Sequence, residues 1–137
     1  MLIKLLLVMT LILNLATVGH LFAASAQDKI KEANERAAQD YLKHALILAG
    51  EGRDELAVNS FKKALAIKPD WAEAYSLLGS ALSRAGNYAE AEQALRKAVT
   101  LKPDYAEGWF YLGQFLKEKG KEAEAQEAFR KAKQFAR

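Results

Sequence analysis

The sequence predicts an all-α protein, a solenoid in which three helix–turn–helix units stack one on another. The first observation behind this prediction is a repeat, because the same residue types return every 34 positions. The second is that the chain after residue 26 consists almost entirely of helix-forming residues, and its two prolines, Pro69 and Pro103, both lie at unit boundaries. A fixed period of this length indicates stacked supersecondary units rather than one globular core.

The recurring positions identify the residues that hold each unit together. The series are Tyr41, Tyr75 and Trp109; Ala45, Gly79 and Gly113; Leu48, Leu82 and Leu116; Gly52, Gly86 and Gly120; Ala57, Ala91 and Ala125; Phe61, Leu95 and Phe129; and Ala64, Ala98 and Ala132. The first three series lie at i, i+4 and i+7 within a unit, which is one stripe of a helix. Small residues in these series let two helix backbones approach closely, and stacking the pairs makes a continuous core.

Glycine and proline positions divide the repeat region into six helices. We predict helices over residues 28–49, 54–67, 71–85, 88–101, 105–119 and 122–136. Short glycine turns join antiparallel helices. The Lys-Pro pairs that begin at Lys68 and Lys102 end the helices before them, because proline cannot continue a helix and restrains the residue that precedes it.

The first 26 residues read as a secretory signal peptide. Lys4 supplies the positive end, an apolar stretch follows, and Ala24 and Ala26 place small residues at both recognition positions, so cleavage is expected after Ala26. Residues 27–37 then extend the first helix of the repeat domain. The repeat domain itself is predicted over residues 38–137 and is expected to be extracytoplasmic, either periplasmic or secreted.

An uncleaved membrane anchor is the alternative interpretation of the same segment. A membrane-spanning helix needs about 20 mostly apolar residues, and the stretch from Leu2 to Ala24 just reaches that length. The protein would then be a structural adaptor anchored in the inner membrane. The positive end stays cytoplasmic under both interpretations, so the repeats lie outside that membrane in either case.

Composition argues against several classes of function. The chain has no cysteine, which excludes a disulfide framework and a thiolate metal site. The formal net charge is +3, and acidic and basic residues are interspersed rather than grouped into a basic stripe, so we expect no nucleic-acid binding. His44, the one histidine after the leader, takes a recurring apolar position, which favours a packing role. No base is placed to activate the serines, so we expect no enzymatic activity, no cofactor, no metal and no small-molecule substrate.

The repeat residues resemble the tetratricopeptide repeat family. The middle unit, residues 72–103, fits most closely and the third, residues 106–137, nearly as well, although Arg137 stands where the proline would be. The first unit, residues 38–69, diverges most, because His44 and Ala45 replace the leucine–glycine pair. The resemblance implies a right-handed superhelical α-solenoid of three tetratricopeptide helix–turn–helix repeats, with six antiparallel helices, after an N-terminal signal segment.

The resemblance also implies where a partner binds. In this family the first helix of each repeat lines a concave groove that holds an extended peptide or a partner helix. The positions that would line the groove here are Leu42, Lys43, Leu46, Glu73, Ser76, Leu77, Ser80, Arg84, Glu107, Phe110, Tyr111, Gln114 and Lys117. Phe110 and Tyr111 are adjacent on one helix, so they either offer an accessible aromatic anchor or pack against a neighbouring helix.

One subclass of the family binds acidic chaperone tails through a clamp of lysine and asparagine side chains. The matching positions in this chain are Leu42, Leu46, Leu77, Glu107 and Tyr111, none of which supplies a cation or an amide. We therefore expect a protein or peptide partner with hydrophobic anchors instead of an acidic tail.

The last repeat leaves one apolar face without a following repeat to cover it. Solenoids usually end in a polar capping helix, but Phe129 and Phe135 lie at seam positions of the final repeat. Partial exposure, a docked partner protein and self-association through the C-terminal end are the three explanations, and we hypothesise that these two phenylalanines make a homotypic contact.

Together these observations predict a non-enzymatic protein–protein interaction module, or scaffold, that is exported across the membrane. Its pathway is hypothesised to be an envelope assembly or a secretion complex.

Overall fold

The computed structural model describes residues 1–136 of the chain and contains six α-helices and no strand over that range. The helices are α1 (Leu2–Gly50), α2 (Asp54–Ile67), α3 (Ala72–Arg84), α4 (Tyr88–Leu101), α5 (Ala106–Glu118) and α6 (Glu122–Phe135). The all-α solenoid fold predicted from the repeat is confirmed. Arg137, which stands at the proline position of the third repeat, lies outside the described residues.

Five of the six helices lie within one residue of their predicted limits, but the first differs. Instead of beginning near residue 28, α1 begins at Leu2 and continues through Gly19. A single glycine in a helix costs only about 1 kcal/mol relative to alanine, and the leucines and alanines around it favour the helix. The threonine hydroxyls of the leader also stay within the helix, since Thr10 and Thr17 donate hydrogen bonds to the carbonyl oxygens of Leu7 and Asn14.

The chain divides into two compact units, residues 1–36 and the remainder from Ala37. The first unit is a single exposed helical segment. It contains an 18-residue window with a mean hydropathy of 2.1, none of it buried, so α1 is long and apolar enough to cross a membrane. A signal sequence near an N-terminus has the same length and composition, so this property fits both interpretations of the leader.

The second unit is the repeat stack, and its core is built from the recurring positions. Ala57, Ala91 and Ala125 have no exposed surface. Close approach is tightest between α3 and α4, where a Cβ atom added to Gly79 would lie 2.5 Å from Leu95 Cγ and 3.1 Å from the Ala91 carbonyl oxygen. Glycine at this position therefore sets the distance between the two helices of the middle repeat.

Glycine also makes the turn inside each repeat. Gly52, Gly86 and Gly120 have φ angles of +72°, +84° and +73°. In each turn the amide that follows the glycine donates to a carbonyl five residues back, as Asn87 does to Leu82 at 2.8 Å. This is the Schellman ending of a helix, which requires a left-handed residue that glycine adopts without strain.

Ion pairs join the second helices of successive repeats. Lys62 pairs with Glu90 at 2.9 Å, and Arg96, 34 residues after Lys62, pairs with Glu124. Glu92 accepts hydrogen bonds from both Lys121 and Arg96, and these two contacts hold the pKa of its carboxyl below the ordinary value. Exposed ion pairs contribute little one by one, so this network reinforces a stack that apolar packing already holds.

Replacing Gly79 with valine is expected to destabilise the repeat stack. The added atoms would meet the buried Leu95 side chain and the Ala91 backbone, and overpacking of this kind costs roughly 1–3 kcal/mol. The free energy of unfolding of the full chain in detergent, measured by urea denaturation and circular dichroism, would fall accordingly. Gly50→Ala is the control, because nothing lies within 4 Å of a Cβ atom there. Equal stability of the two variants would contradict this account of the close approach.

Acid should weaken the stack partly through Glu92. A carboxyl whose pKa is lower in the folded state stabilises the fold above its unfolded pKa and loses that contribution as the pH falls through the folded value. The melting temperature of Glu92→Gln should therefore fall less than that of the wild type when the pH is lowered from about 6 to about 3. Glu118→Gln, which removes a carboxylate with no ion pair among residues 1–136, should keep the wild-type acid response. Parallel acid profiles for all three proteins would show that the network does not act through Glu92.

Candidate functional site

The first helices of the three repeats share a surface that contains a depression of about 290 Å³. Every repeat contributes to it, with Leu46 from α1, Leu77 and Ser80 from α3, and Tyr111 from α5. These four residues belong to the predicted groove set, and the structure brings them together. We call this depression, with Ala49, Gly50, Phe61 and Arg84 as its remaining lining residues, the central groove.

The floor of the central groove is apolar. Phe61 is 1% exposed, and Leu77 and Tyr111 are partly buried against the hydrophobic core. Leu46 keeps 44% of its surface exposed, although it is a large aliphatic side chain within the repeat stack. An exposed leucine beside an aromatic ring and a second leucine can receive an apolar side chain from a partner.

The rim of the central groove is polar. Arg84 forms an ion pair with Asp54, with its Nε 2.8 Å and its Nη2 2.7 Å from Asp54 Oδ1. Since that carboxylate is only 15% exposed, the pair holds the guanidinium in one place at the edge of the groove. Lys43, Gln114 and Lys117 are exposed predicted positions on the same first helices. A ligand in the groove would therefore meet an apolar centre between polar ends.

Two predicted groove residues are occupied by contacts inside the protein. Ser76 has no exposed surface, because its hydroxyl donates to the Glu73 carbonyl oxygen at 2.9 Å and lies 3.5 Å from Tyr105 Oη in the next repeat. Ser76 is therefore removed from the predicted set. Glu73 is partly buried and bonds Lys102 at 3.0 Å. Burial raises the pKa of Glu73, but hydrogen bonds from its own backbone amide and from Lys102 outweigh burial and lower it.

Leu42 is also partly buried against the core, whereas Glu107 and Phe110 lie at a different surface. Both line a cavity of about 690 Å³ at the C-terminal end of the stack, with Phe129 and Phe135 among its other lining residues. We call this cavity the end cavity. Tyr111 lines both the end cavity and the central groove. Of the two adjacent aromatic residues, Tyr111 packs against the core, whereas Phe110 remains accessible, with 46% of its surface exposed.

The walls of the end cavity are aromatic. The Phe129 ring lies across Gly113, where an added Cβ atom would be 2.8 Å from the ring, and its centroid is 5.9 Å from that of Phe110. Tyr105 lines the opposite side, with the Lys102 ammonium 5.2 Å from its ring centroid. Sequence reasoning assigned Phe110 to the groove and Phe129 to the open end, and the folded chain places both in the end cavity.

Catalytic and metal-binding groups do not converge in the described part of the chain. No group of three or more histidine, cysteine or acidic side chains there could hold a metal ion. His44 was expected to pack in the apolar stripe and instead is exposed, with its Nδ1 3.1 Å from Ser60 Oγ. The equivalent leucines of the later repeats, Leu78 and Leu112, are buried, so the packing prediction for His44 was wrong.

Comparison with solved structures gives the same architecture. The second TPR of Spaghetti (RPAP3), bound to the HSP90 peptide SRMEEVD, is 20% identical, has a TM-score of 0.71, and is matched over 78% of this chain and 98% of that one. The Arabidopsis OM64 TPR domain is 19% identical, with a TM-score of 0.71 over 75% of this chain and 85% of that one. MamA is 24% identical with a TM-score of 0.67 over 74% of this chain, and the match spans 59% of the MamA chain. At these identities the likeness shows the fold alone.

Family models agree with the fold. A tetratricopeptide repeat model matches residues 76–137, and a TPR repeat model matches residues 45–86. No curated protein sequence matches the chain. Both models describe tetratricopeptide repeats, and together they span residues 45–137, which is more than half of the sequence, so the chain belongs to the tetratricopeptide repeat family.

Proposed function

We propose that this protein is a non-enzymatic interaction module that holds an extended peptide or a helix of a partner protein in the central groove. Proteins of this fold are protein-binding scaffolds, and one structural neighbour is a complex with a peptide. The observation that carries the proposal is the central groove itself, in which each repeat presents one large side chain, Leu46, Leu77 and Tyr111. A ligand that runs across the stack would contact all three repeats.

The partner is proposed to carry hydrophobic anchors. The groove floor offers aliphatic and aromatic surface, and the guanidinium at its edge is already paired with Asp54. A bound carboxylate would have to compete with that pair, whereas an apolar side chain would gain from leaving water. This is why we distinguish the ligand of this chain from the acidic peptide SRMEEVD that the Spaghetti domain holds.

Replacing Leu46 with lysine is expected to weaken ligand binding by roughly tenfold or more. The apolar contact of the leucine would be lost, and the lysine ammonium would have to give up water when the ligand binds. The probe would be peptides selected from a phage-displayed random library against the full chain in lipid nanodiscs, with affinities measured by fluorescence anisotropy. We expect the selected peptides to be rich in leucine and aromatic residues and to bind more tightly than SRMEEVD.

Leu56→Lys is the matched control. Leu56 is 45% exposed, close to the 44% of Leu46, but it lies on α2 and does not line the central groove. Equal loss of binding in the two variants would mean that the central groove is not the binding surface. Selection of acidic peptides that resemble SRMEEVD would contradict the proposed ligand chemistry while leaving the location of the site intact.

The proposed compartment is extracytoplasmic, with the leader removed after Ala26 and the repeats periplasmic or secreted, in an envelope assembly or a secretion complex. In a second candidate, the leader, which is long and apolar enough to cross a membrane, stays in the inner membrane and the protein is an anchored adaptor. Both candidates leave the central groove free for a partner.

Mass spectrometry of the protein recovered from cells that produce it separates these candidates. We expect a chain that begins at Gln27, because Ala24 and Ala26 provide the small residues that signal peptidase requires. Ala26→Lys is the matched variant, and it should leave the leader attached. Recovery of the intact chain from both forms in the membrane fraction would favour the anchored adaptor.

A further inference from the structure

The contact between neighbouring repeats occurs twice in the structure and shows what fits at each position. A Cβ atom added to Gly108 of the third repeat would lie 3.3 Å from Val99 Cγ1 of the second. One repeat earlier, the same positions are Ala74 and Leu65. All four residues are buried. Inside the stack, this contact is therefore an apolar side chain against a small one.

The two ends of the stack carry opposite charges at this contact. Lys133 follows Val99 by 34 residues, and Asp40 precedes Ala74 by 34 residues. Both side chains are exposed, and neither forms an ion pair among residues 1–136. If a first repeat were stacked on a third repeat in the register of the internal contacts, the aspartate would face the lysine.

A second contact shows a matching exchange of size. Between the second and third repeats the large Tyr105 covers the small Ser76, with their hydroxyl oxygens 3.5 Å apart. Between the first and second repeats the same positions are Leu42 and Trp71, which are both large. At the ends the equivalent positions are Ala37, which precedes Tyr105 by two repeats, and Phe110, which follows Ser76 by one. At the ends, the large side chain, Phe110, belongs to the third repeat, and the small one, Ala37, belongs to the first helix. In size, the two end positions are therefore the reverse of the Ser76–Tyr105 pair, so a large and a small side chain would still meet there.

The end cavity adds apolar surface that only a further repeat would cover. Phe61 and Leu95 are each 1% exposed, while Phe129 at the same position of the third repeat is only partly buried. Phe110 and Phe135 line the same cavity. Burial of apolar surface of this kind favours association.

We propose that copies of this protein associate head to tail, with the first repeat of one copy stacked on the third repeat of another. Asp40 of the second copy pairs with Lys133 of the first, and Ala37 lies against Phe110. Because the two contacting faces are different, the association is heterologous and continues into rings or open filaments instead of stopping at a dimer. It uses the ends of the stack, which share only Tyr111 with the central groove, and so goes beyond ligand binding in that groove.

The outer ion pairs do not extend across this proposed contact. Arg130 is the residue of the third repeat that corresponds to Lys62 and Arg96. Its guanidinium is already paired with Glu127 of the same helix. The position of Glu90 and Glu124 is Leu56 in the first repeat. The end contact thus lacks a pair that each internal contact has, and we expect the association to depend on concentration.

Cysteine cross-linking tests the proposal directly, because the natural chain has no cysteine. The full-length double variant D40C/K133C in mild detergent should form a ladder of disulfide-linked dimers, trimers and larger species under mild oxidation. An equimolar mixture of the two single variants should give one cross-linked dimer and no ladder. At the internal contact a Cβ atom at position 108 would lie 3.3 Å from Val99 Cγ1, so two cysteines at the equivalent end positions would be close enough to bridge when copies stack in that register.

Each single variant alone and the double variant E55C/K97C, with exposed residues on α2 and α4, are the controls and should remain monomeric on the gel. Absence of the D40C/K133C ladder would overturn the proposal. So would equal dimerisation of a single variant, which would indicate contact through the apolar helix or face to face.

Charge reversal provides a second measurement that does not depend on disulfide chemistry. Asp40→Lys or Lys133→Asp alone should move the concentration-dependent increase in mass, measured by analytical ultracentrifugation, to higher protein concentration, because either change places two like charges in contact. The two changes together should restore the wild-type dependence. A shift in both single variants without restoration in the double variant would reject the specific pairing of these two residues.

Discussion

Close approach of the two helices within each repeat is the constraint on which the rest of the structure depends. It requires a residue without bulk at the crossing point, and in the middle repeat even one extra carbon at Gly79 would meet Leu95 and the Ala91 backbone. Leu95 closes over this crossing point, and Leu95 and Phe61, at the same position of successive repeats, are each only 1% exposed. Stability is therefore shared between neighbours, as in other repeat proteins, since no pair covers its own apolar surface.

The same stacking produces the two surfaces available to partners. The central groove forms because the first helix of each repeat contributes one side chain to a common face, and no single repeat contains it. The end cavity forms because Phe129 repeats a residue that is covered everywhere else in the stack. The end cavity also carries a charge where the earlier repeats do not, because Lys133 stands at the position of the buried Leu65 and Val99. The internal contacts of a repeat protein thus indicate which side chains can pack at the equivalent positions of its end faces.

The structure brings together only part of the residue set that the sequence assigned to the groove. Leu46, Leu77 and Tyr111 were assigned to the groove and do line it. The assignment failed for Ser76, because Tyr105, 29 residues later, covers its hydroxyl. Phe110 has no such cover and lines the end cavity instead.

The sequence by itself determined the fold class, the period, the turns and most helix limits, because these depend on local chemistry: glycine at positive φ, proline after a helix, and small residues at a fixed spacing. Which side chains remain accessible is set by the folded stack. Accessibility depends on side chains from other repeats, and Leu42, Ser76 and Phe110 hold one repeat position yet are partly buried, buried and exposed. The sequence pattern also did not show that α1 begins at Leu2. That start depends on whether the helix propensity of the surrounding apolar residues outweighs the cost of Gly19 within the helix.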